Sequence, residues 1–203
     1  MASSDPRNAD VELELIRRVR EGDTGAFEVL FTTYYEPLLR FALVYVKIRG
    51  VAEELVQDVF FHLWSQRERW DVQDTVRAYF YATTRNRALN WLRRGALEQR
   101  WADRVNADID ADGDPDETAR AIFPRSERAD ERLRVAELDA AIHAAVDRLP
   151  PRCREAFVLS REHHLTYEQI GEVMGISVKT VQEQIARALR SLRVSLASWL
   201  ERA

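Results

Sequence analysis

Apolar residues recur along this chain at intervals of three and four positions. In AEELVQDVFFHLW (52–64) they are Ala52, Leu55, Val56, Val59, Phe60, Leu63 and Trp64. Such spacing places the apolar side chains on one face of an α-helix. The 203 residues include only 7 Gly and 6 Pro, and no alternating strand pattern is found among them. We therefore predict an all-α fold of long helices with few turns.

The same period, read together with helix start and stop signals, divides the chain into successive helices. Asp10, Asp74 and Ser177 are candidate N-caps, and Gly175 is a candidate helix stop. Helices are predicted from about 10 to 21, 24 to 46, 51 to 66, 75 to 94, 131 to 148, 151 to 162, 166 to 174 and 178 to 199.

An acidic segment separates the helices into two groups. The stretch VNADIDADGDPDET (105–118) contains Gly and Pro, carries six acidic residues and has almost nothing to bury. Such a composition is typical of a solvated linker. We predict two small helical domains joined by a flexible acidic linker. The expected boundaries are a disordered N-terminus at 1–8, a first domain at 9–96, the linker at 97–130 and a second domain at 131–200.

The linker also contains a partial match to a calcium-binding loop. Asp108, Asp110, Asp112 and Gly113 fit positions 1, 3, 5 and 6 of an EF-hand. Position 12, which requires a bidentate Glu, is Ala119, and flanking helices are missing. We therefore predict no metal site there.

The C-terminal part has the proportions of a helix-turn-helix motif. A short helix over TYEQIGEVM (166–174) is followed by a turn at Gly175–Ser177 and a helix from Val178. In such motifs the N-terminal residues of the second helix lie in the DNA major groove. Gln can read adenine, Glu can accept from cytosine, and Lys or Arg can contact guanine or phosphate. The alternative is an ordinary helical hairpin with a solvated polar face.

The stretch TVRAYFYATTRNRALNWLRRG (75–95) combines aromatics, amides and arginines. Seven Arg and two acidic residues between Thr75 and Arg104 give a local charge of +5, which the acidic linker masks in the total of −4. One helical face carries Val76, Phe80, Thr84, Ala88 and Leu92, and the other carries the polar residues. Rings that stack on bases and amides that read base edges suit single-stranded nucleic acid. A core of aromatics with a solvated Arg face is the alternative.

Several classes of protein are disfavoured by what the sequence lacks. Cys153 is the only cysteine, which excludes an intrachain disulfide and fits a reducing cytoplasm. The first residues show no signal peptide, and no apolar run is long enough to span a membrane. His163 and His164 are adjacent and cannot share a helical face as metal ligands. With no Gly-rich phosphate loop either, we expect no cofactor, no metal and no enzymatic activity.

Two separate blocks of sequence resemble the extracytoplasmic-function (ECF) group of bacterial sigma-70-type RNA polymerase sigma factors. AEELVQDVFFHLW followed by VRAYFYATTRNRALNWLRR resembles sigma region 2. LPPRCREAFVLSREHHLTYEQIGEVMGISVKTVQEQIARALRSLR resembles sigma region 4. The resemblance implies a region 2 helical bundle and a region 4 helix-turn-helix, in a cytoplasmic bacterial transcription initiation factor.

The resemblance also implies partners. Region 2 is expected to dock on the clamp helices of the largest subunit of core RNA polymerase and to capture the melted −10 element. Region 4 is expected to bind the −35 duplex and the flap of the second-largest subunit. An anti-sigma factor is a candidate further partner. The free protein is expected to be a monomer without membrane insertion.

The resemblance assigns candidate site residues to each of these contacts. Those for polymerase docking are Gln57, Asp58 and His62. Those for the −10 element are Tyr79, Arg85, Asn86, Arg87, Asn90, Arg93 and Arg94. Those for the −35 element are Thr166, Tyr167, Lys179, Thr180, Gln182, Glu183, Ala186, Arg187 and Arg190. Gln182 and Glu183 depart from the more basic or smaller residues of many relatives, so the −35 sequence stays open.

Two rival hypotheses are kept. A stand-alone helix-turn-helix regulator, with residues 1–95 as a sensor or dimerisation domain, predicts dimers and tight binding to palindromic DNA. A helical adaptor that binds only proteins predicts that Arg187→Ala leaves function intact.

Overall fold

A computed structural model describes residues 6–70, 75–105 and 129–197. These residues form α-helices, one short 3₁₀ turn at Arg67–Arg69 and no strands, which confirms the all-α prediction. The α-helices are α1 (Pro6–Arg20), α2 (Thr24–Val46), α3 (Arg49–Ser65), α4 (Val76–Val105), α5 (Ala129–Asp147), α6 (Pro151–Arg161), α7 (Tyr167–Met174) and α8 (Val178–Ser195).

Three helix boundaries differ from the sequence prediction. Helix α1 begins at Pro6, so Asp10 is not its N-cap; a proline suits the first position of a helix because its missing N–H is not needed there. Helix α4 continues past Gly95 to Val105, because a single Gly costs only about 1 kcal/mol among good helix formers. Helix α8 ends at Ser195. The predicted end at Trp199, the N-cap Asp74 and the calcium-like loop lie outside the described residues.

The first domain is a bundle of α1 to α4. Helix α2 packs against both α3 and α4. The core of the bundle includes the fully buried Leu38, Phe41, Val56 and Phe80. The predicted apolar face of α4 is buried from Val76 to Ala88, but Leu92 is 38% exposed. This face becomes exposed at Leu92 because α4 extends beyond the part of the bundle that covers it.

The second domain consists of α5 to α8, and local signals set the angle between α7 and α8. Thr166 and Gln169 form a reciprocal capping box at the start of α7. Gly175 ends that helix with a left-handed φ of 65°, a conformation that glycine adopts without strain. Ser177 then caps α8 by accepting a hydrogen bond from the Thr180 N–H. The helix-turn-helix motif therefore stands where the sequence predicts it.

The two domains pack against each other in this structure. Helix α4 of the first domain contacts α7 of the second, and α2 contacts α6. One continuous set of buried apolar side chains runs from Ile16 in α1 to Ile185 in α8. Across the described residues, no helix is both long enough and apolar enough to cross a membrane.

Candidate nucleic-acid and polymerase interfaces

The start of α8 presents an open polar face. Val181, Ile185 and Ala188 are buried against the rest of the second domain. Side chains on the opposite side of the helix are exposed, and they include Lys179, Gln182, Glu183, Ala186, Arg187 and Arg190. The structure thus brings six of the nine candidate −35 residues together on one accessible surface. Donors, acceptors and positive charge on such a surface match the requirements of major-groove recognition.

The other three candidate −35 residues are tied into the motif itself. The Thr166 hydroxyl accepts a hydrogen bond from the Gln169 N–H at 3.3 Å. The Thr180 hydroxyl lies 2.9 Å from the Ser177 hydroxyl at the cap of α8. Tyr167 is half-buried against the core. These residues position the helices, and contact with DNA would be an additional role for them.

A close backbone approach fixes the turn between α7 and α8. A Cβ atom placed on Gly171 would lie 2.8 Å from the carbonyl oxygen of Ile176. The Ile176 N–H donates back to the Gly171 carbonyl oxygen at 3.0 Å. Only glycine allows this approach, because any side chain at position 171 would push the turn away from α7.

The candidate −10 residues lie along α4, and the structure divides them between different surroundings. Asn86, Asn90, Arg93 and Arg94 are exposed. Arg87 donates a hydrogen bond to Asp58 on α3 at 3.1 Å. Tyr79 packs its ring on Trp70, with 5.1 Å between the ring centroids. Asn86, Asn90 and Arg93 share one open helical face, on which amides and positive charge lie side by side.

Arg85 is the member of this set that the structure places elsewhere. Its Nε donates to Glu155 on α6, and the two side chains are only 15% and 7% exposed. The Glu155 carboxylate raises the pKa of Arg85, although desolvation, the largest influence, acts to lower it. In this conformation Arg85 faces the second domain, not the surface that carries Asn86.

Sequence reasoning missed Trp91. It is 36% exposed beside Asn90 and lines a cleft of about 220 Å³ between α3 and α4, together with Asp58, Arg87 and Arg94. The signal that could have identified Trp91 is its position directly after Asn90 and three residues before Arg94. Helix α4 extends beyond the bundle at this point.

The docking candidates lie on α3. His62 and Asp58 are exposed, and Gln57 lines a groove of about 460 Å³ between α2 and α3. The groove is otherwise mostly aromatic, lined by Phe27, Phe31, Phe60, Phe61 and Trp64. Phe61 is 73% exposed, and sequence reasoning missed it although it lies off the apolar stripe of α3. Phe31, which lines the same groove, is also exposed, and a contiguous exposed apolar patch rimmed by polar residues is typical of a protein-binding surface.

Comparison with known proteins decides the family. The family model for Sigma-70 region 2 matches residues 30–98, and the model for Sigma-70 region 4 matches residues 139–192. The two matches occur in the order of the family, and together they cover more than half of the chain. This protein belongs to the ECF group of sigma-70-type RNA polymerase sigma factors.

Relatives support this placement over nearly the full length. The chain is 28% identical to the RNA polymerase sigma-H factor of Pseudomonas aeruginosa, across 94% of this chain and 96% of that protein. It is 25% identical to the ECF RNA polymerase sigma-E factor of Haemophilus influenzae, across 86% and 89%. It is 28% identical to the RNA polymerase sigma factor CarQ of Myxococcus xanthus, across 88% and 93%.

Solved structures share the fold. CnrH, solved in complex with the cytosolic domain of CnrY, aligns with a TM-score of 0.62 at 21% identity, over 93% of this chain and 99% of that one. The sigma factor RpoE of Bartonella quintana, solved with the anti-sigma factor NepR, aligns with a TM-score of 0.61 at 20% identity, over 84% and 96%. As a sigma factor, this protein is a transcription initiation factor that directs RNA polymerase to promoters.

Proposed function

We propose that the open face of α8 reads the −35 element. Six exposed candidate side chains lie on this face, and the buried Val181 and Ile185 hold the helix against its domain. Gln182 and Glu183 supply base-edge contacts, while Lys179, Arg187 and Arg190 supply charge to guanine or phosphate. This exposed face, on the same chain as a region 2 match, is the observation that carries the proposal.

The exposed face of α4 would capture the melted −10 element. Asn86 and Asn90 present amides one helical turn apart, and Arg93 and Arg94 follow them. Trp91 offers a ring for base stacking at the edge of the same surface. Amides that read base edges, rings that stack and arginines that follow phosphates are the usual means of binding single strands.

The aromatic groove between α2 and α3 would dock on core RNA polymerase. Gln57, Asp58 and His62 form a polar border around the exposed Phe61. An aromatic side chain that becomes buried on binding, inside a polar rim, is the arrangement that concentrates binding energy in protein interfaces. The partners are the clamp helices of the largest subunit for this domain and the flap of the second-largest subunit for the second domain.

The proposal includes a regulator and a location. The two solved structures described above each contain a partner chain, and an anti-sigma factor is the corresponding candidate for this protein. The initiation factor works in the bacterial cytoplasm, where core polymerase and the chromosome are. It has no catalytic role of its own, and the polymerase carries out the chemistry.

Core polymerase supplies much of the DNA affinity in this scheme. The net charge of −4 weakens nonspecific DNA binding, which scales with the number of phosphates neutralised. Polymerase compensates by holding both domains at fixed places, so that the second contact becomes intramolecular. We therefore expect weak promoter binding by the free chain and tight binding by its complex with core.

Measurement of both affinities tests this proposal against the stand-alone regulator. Fluorescence anisotropy with one labelled promoter duplex would be recorded for the free monomer and for the complex with core. Weak binding alone and specific binding with core are the expected results. A dimeric free protein with a nanomolar Kd for the duplex would favour the stand-alone regulator and overturn the proposal.

A further inference from the structure

Helix α4 continues beyond the bundle that covers its first half. Ala88 is fully buried, whereas every residue from 91 to 96 is exposed. The helix nevertheless continues to Val105. We call residues 91–105 the α4 extension.

One stripe of residues runs from the proposed −10 surface into the α4 extension. An α-helix turns by about 100° per residue, so positions spaced by three and four residues fall on one side of it. Starting from Asn86, these positions hold Asn86, Asn90, Arg93, Leu97, Arg100 and Arg104. The two acidic residues of the extension, Glu98 and Asp103, fall outside this register. Along the stripe the polar residues therefore change from amides to arginines.

A side-chain contact links the amides of the stripe to its first arginine. The Asn90 amide oxygen accepts a hydrogen bond from Arg93 at 3.1 Å. Asn86, Asn90 and Arg93 are all exposed. The proposed −10 surface and the start of the α4 extension therefore form one continuous polar surface.

The chemistry of the stripe changes from base reading to phosphate binding. The amides of Asn86 and Asn90 suit the edges of unpaired bases, but no amide follows Arg93 on the stripe. Arginine is a usual partner of phosphate oxygens, and such contacts position a protein on a duplex without reading its sequence. In an open complex the melted region runs from the −10 element to the transcription start. The duplex that adjoins the −10 element therefore lies upstream of it.

The length of the helix sets how far such contacts reach. From Asn86 to Arg104 the helix rises by about 27 Å, at about 1.5 Å per residue. This length corresponds to about eight base pairs at about 3.4 Å each. Arg100 and Arg104 can therefore reach phosphates of the upstream duplex while Asn86 contacts a base of the melted strand.

We propose that the α4 extension binds the phosphate backbone of the promoter duplex directly upstream of the −10 element, with Arg100 and Arg104 as its outer contacts. This inference rests on the −10 role proposed above for Asn86 and Asn90. The contact holds the upstream edge of the melted region and does not depend on the base sequence there. It adds affinity because each neutralised phosphate releases counterions.

Binding of the core polymerase complex to forked DNA tests the proposal. A long fork carries a single-stranded −10 element and about ten base pairs of upstream duplex, slightly more than the helix spans, and it has no −35 element. A short fork lacks the upstream duplex. The Arg100→Gln, Arg104→Gln double variant keeps good helix formers at both positions. It should reduce the salt dependence of long-fork binding by about two units, at about 0.9 per phosphate contact, and bind the short fork as the wild type does.

A charge-matched variant provides the control. Arg20 at the end of α1 and Arg161 at the end of α6 are exposed and lie outside α4. The Arg20→Gln, Arg161→Gln double variant should leave binding to both forks unchanged. Equal salt dependence of the two double variants on the long fork would overturn the proposal. Loss of affinity for core polymerase itself in the Arg100→Gln, Arg104→Gln variant would also overturn it, because the extension would then dock on protein.

Gly95 offers a variant with the opposite effect. A Cβ atom at this position would meet nothing within 4 Å, and alanine favours the helix more than glycine does. Gly95→Ala should therefore strengthen long-fork binding by up to about fivefold, which is the fold-change that the difference in helix propensity allows, and leave short-fork binding unchanged. Equal strengthening of both forks would contradict the proposal.

The short fork separates failure of this inference from failure of the −10 role. Binding of the wild-type complex to the short fork should depend on the −10 sequence. Binding that ignores this sequence would refute the −10 role and the inference with it. Sequence-dependent short-fork binding, combined with an unchanged salt dependence of the Arg100→Gln, Arg104→Gln variant on the long fork, would refute the contact of the α4 extension alone.

Discussion

Asp58 on α3 accepts a hydrogen bond from Arg87 on α4 at 3.1 Å, and this contact links the proposed polymerase-docking surface to the proposed −10 surface. Both residues remain partly exposed, at 55% for the Asp58 side chain and 29% for that of Arg87. An ion pair this accessible to water contributes little to folding, at most about 1 kcal/mol. The main effect of this ion pair would be to hold the Asp58 and Arg87 side chains in place.

The first prediction concerns Asp58→Ala. The free energy of unfolding should fall by less than about 1 kcal/mol, while affinity for core falls by about 1–3 kcal/mol if Asp58 lies in the docking interface. Denaturant unfolding and core binding measure the two quantities. Glu53→Ala is the matched control, because Glu53 forms an ion pair with Arg49 on the same helix. Parallel small losses in both variants would remove Asp58 from the docking surface.

The second prediction concerns the −35 reader. Arg187→Ala should weaken promoter binding by about 1–3 kcal/mol if Arg187 contacts a base, or reduce the salt dependence by about one unit if it contacts phosphate. Binding of the core complex to duplex DNA at several salt concentrations separates these cases. Arg193→Ala serves as the control because Arg193 is exposed near the end of the same helix. No loss from Arg187→Ala would favour the helical adaptor.

The third prediction concerns Asn86 on the open face of α4. Asn86→Ala should slow open-complex formation while binding to the −35 duplex is unchanged, because the side chain would meet only the melted strand. Permanganate footprinting of the −10 region measures melting. A promoter with a preformed bubble provides the control. On this promoter the Asn86→Ala variant should form an open complex, although its contact to the −10 base is still missing. Equal loss of −35 binding would count against the assignment.

The fourth prediction concerns the tight turn of the helix-turn-helix. Gly171→Ala places a Cβ 2.8 Å from the Ile176 carbonyl oxygen, and relief of this contact should cost about 1–3 kcal/mol of folding free energy. Gly50→Ala is the matched control, because its Cβ would meet nothing within 4 Å and alanine favours helix. Thermal unfolding should rank Gly50→Ala at or above wild type and Gly171→Ala below it.

The fifth prediction concerns pH and the buried His163. Burial is the main reason that the pKa of His163 falls to about 4, and Arg40, Arg77 and His164 lower it further. The neutral ring, hydrogen-bonded to the Tyr81 hydroxyl, is therefore the form that the folded structure requires. Because an exposed histidine titrates near 6.5, the unfolded state binds the extra proton between about pH 6.5 and 4.

The stability that neutral His163 contributes to the folded structure should thus be complete above about pH 6.5. It should decline as the pH falls towards 4, by up to about 1.4 kcal/mol per pH unit within that window. Unfolding followed as a function of pH would show this slope in the wild type and a smaller one in His163→Asn. Identical slopes would mean that His163 does not control the acid side of the profile.

Local signals allowed the helices to be predicted from the sequence. The apolar spacing in α3, the start of α7 after Thr166 and the cap at Ser177 all depend on neighbours a few positions away. The predicted start of α1 at Asp10 and the predicted end of α4 before Gly95 were wrong. In each case a single cap or stop residue, Asp10 or Gly95, did not outweigh the helix-forming residues around it.

The contact between the domains could not be predicted in this way. Periodicity indicates that a face is polar or apolar, but it does not indicate which distant face meets it. Arg85 was therefore predicted as one of the arginines of the nucleic-acid surface, because its partner Glu155 is 70 positions away in the sequence. The exposure of Phe61 likewise depends on how α2 and α3 cross.

Core-dependent transcription tests the central claim most directly. The purified chain would be mixed with sigma-free core polymerase from the source organism and a genomic promoter library, and the transcript 5′ ends would be sequenced. The account predicts discrete starts that share elements near −10 and −35, and their loss with the Asn86→Ala, Arg187→Ala double variant. Absence of starts from the wild-type chain, together with no association with core on a sizing column, would contradict it.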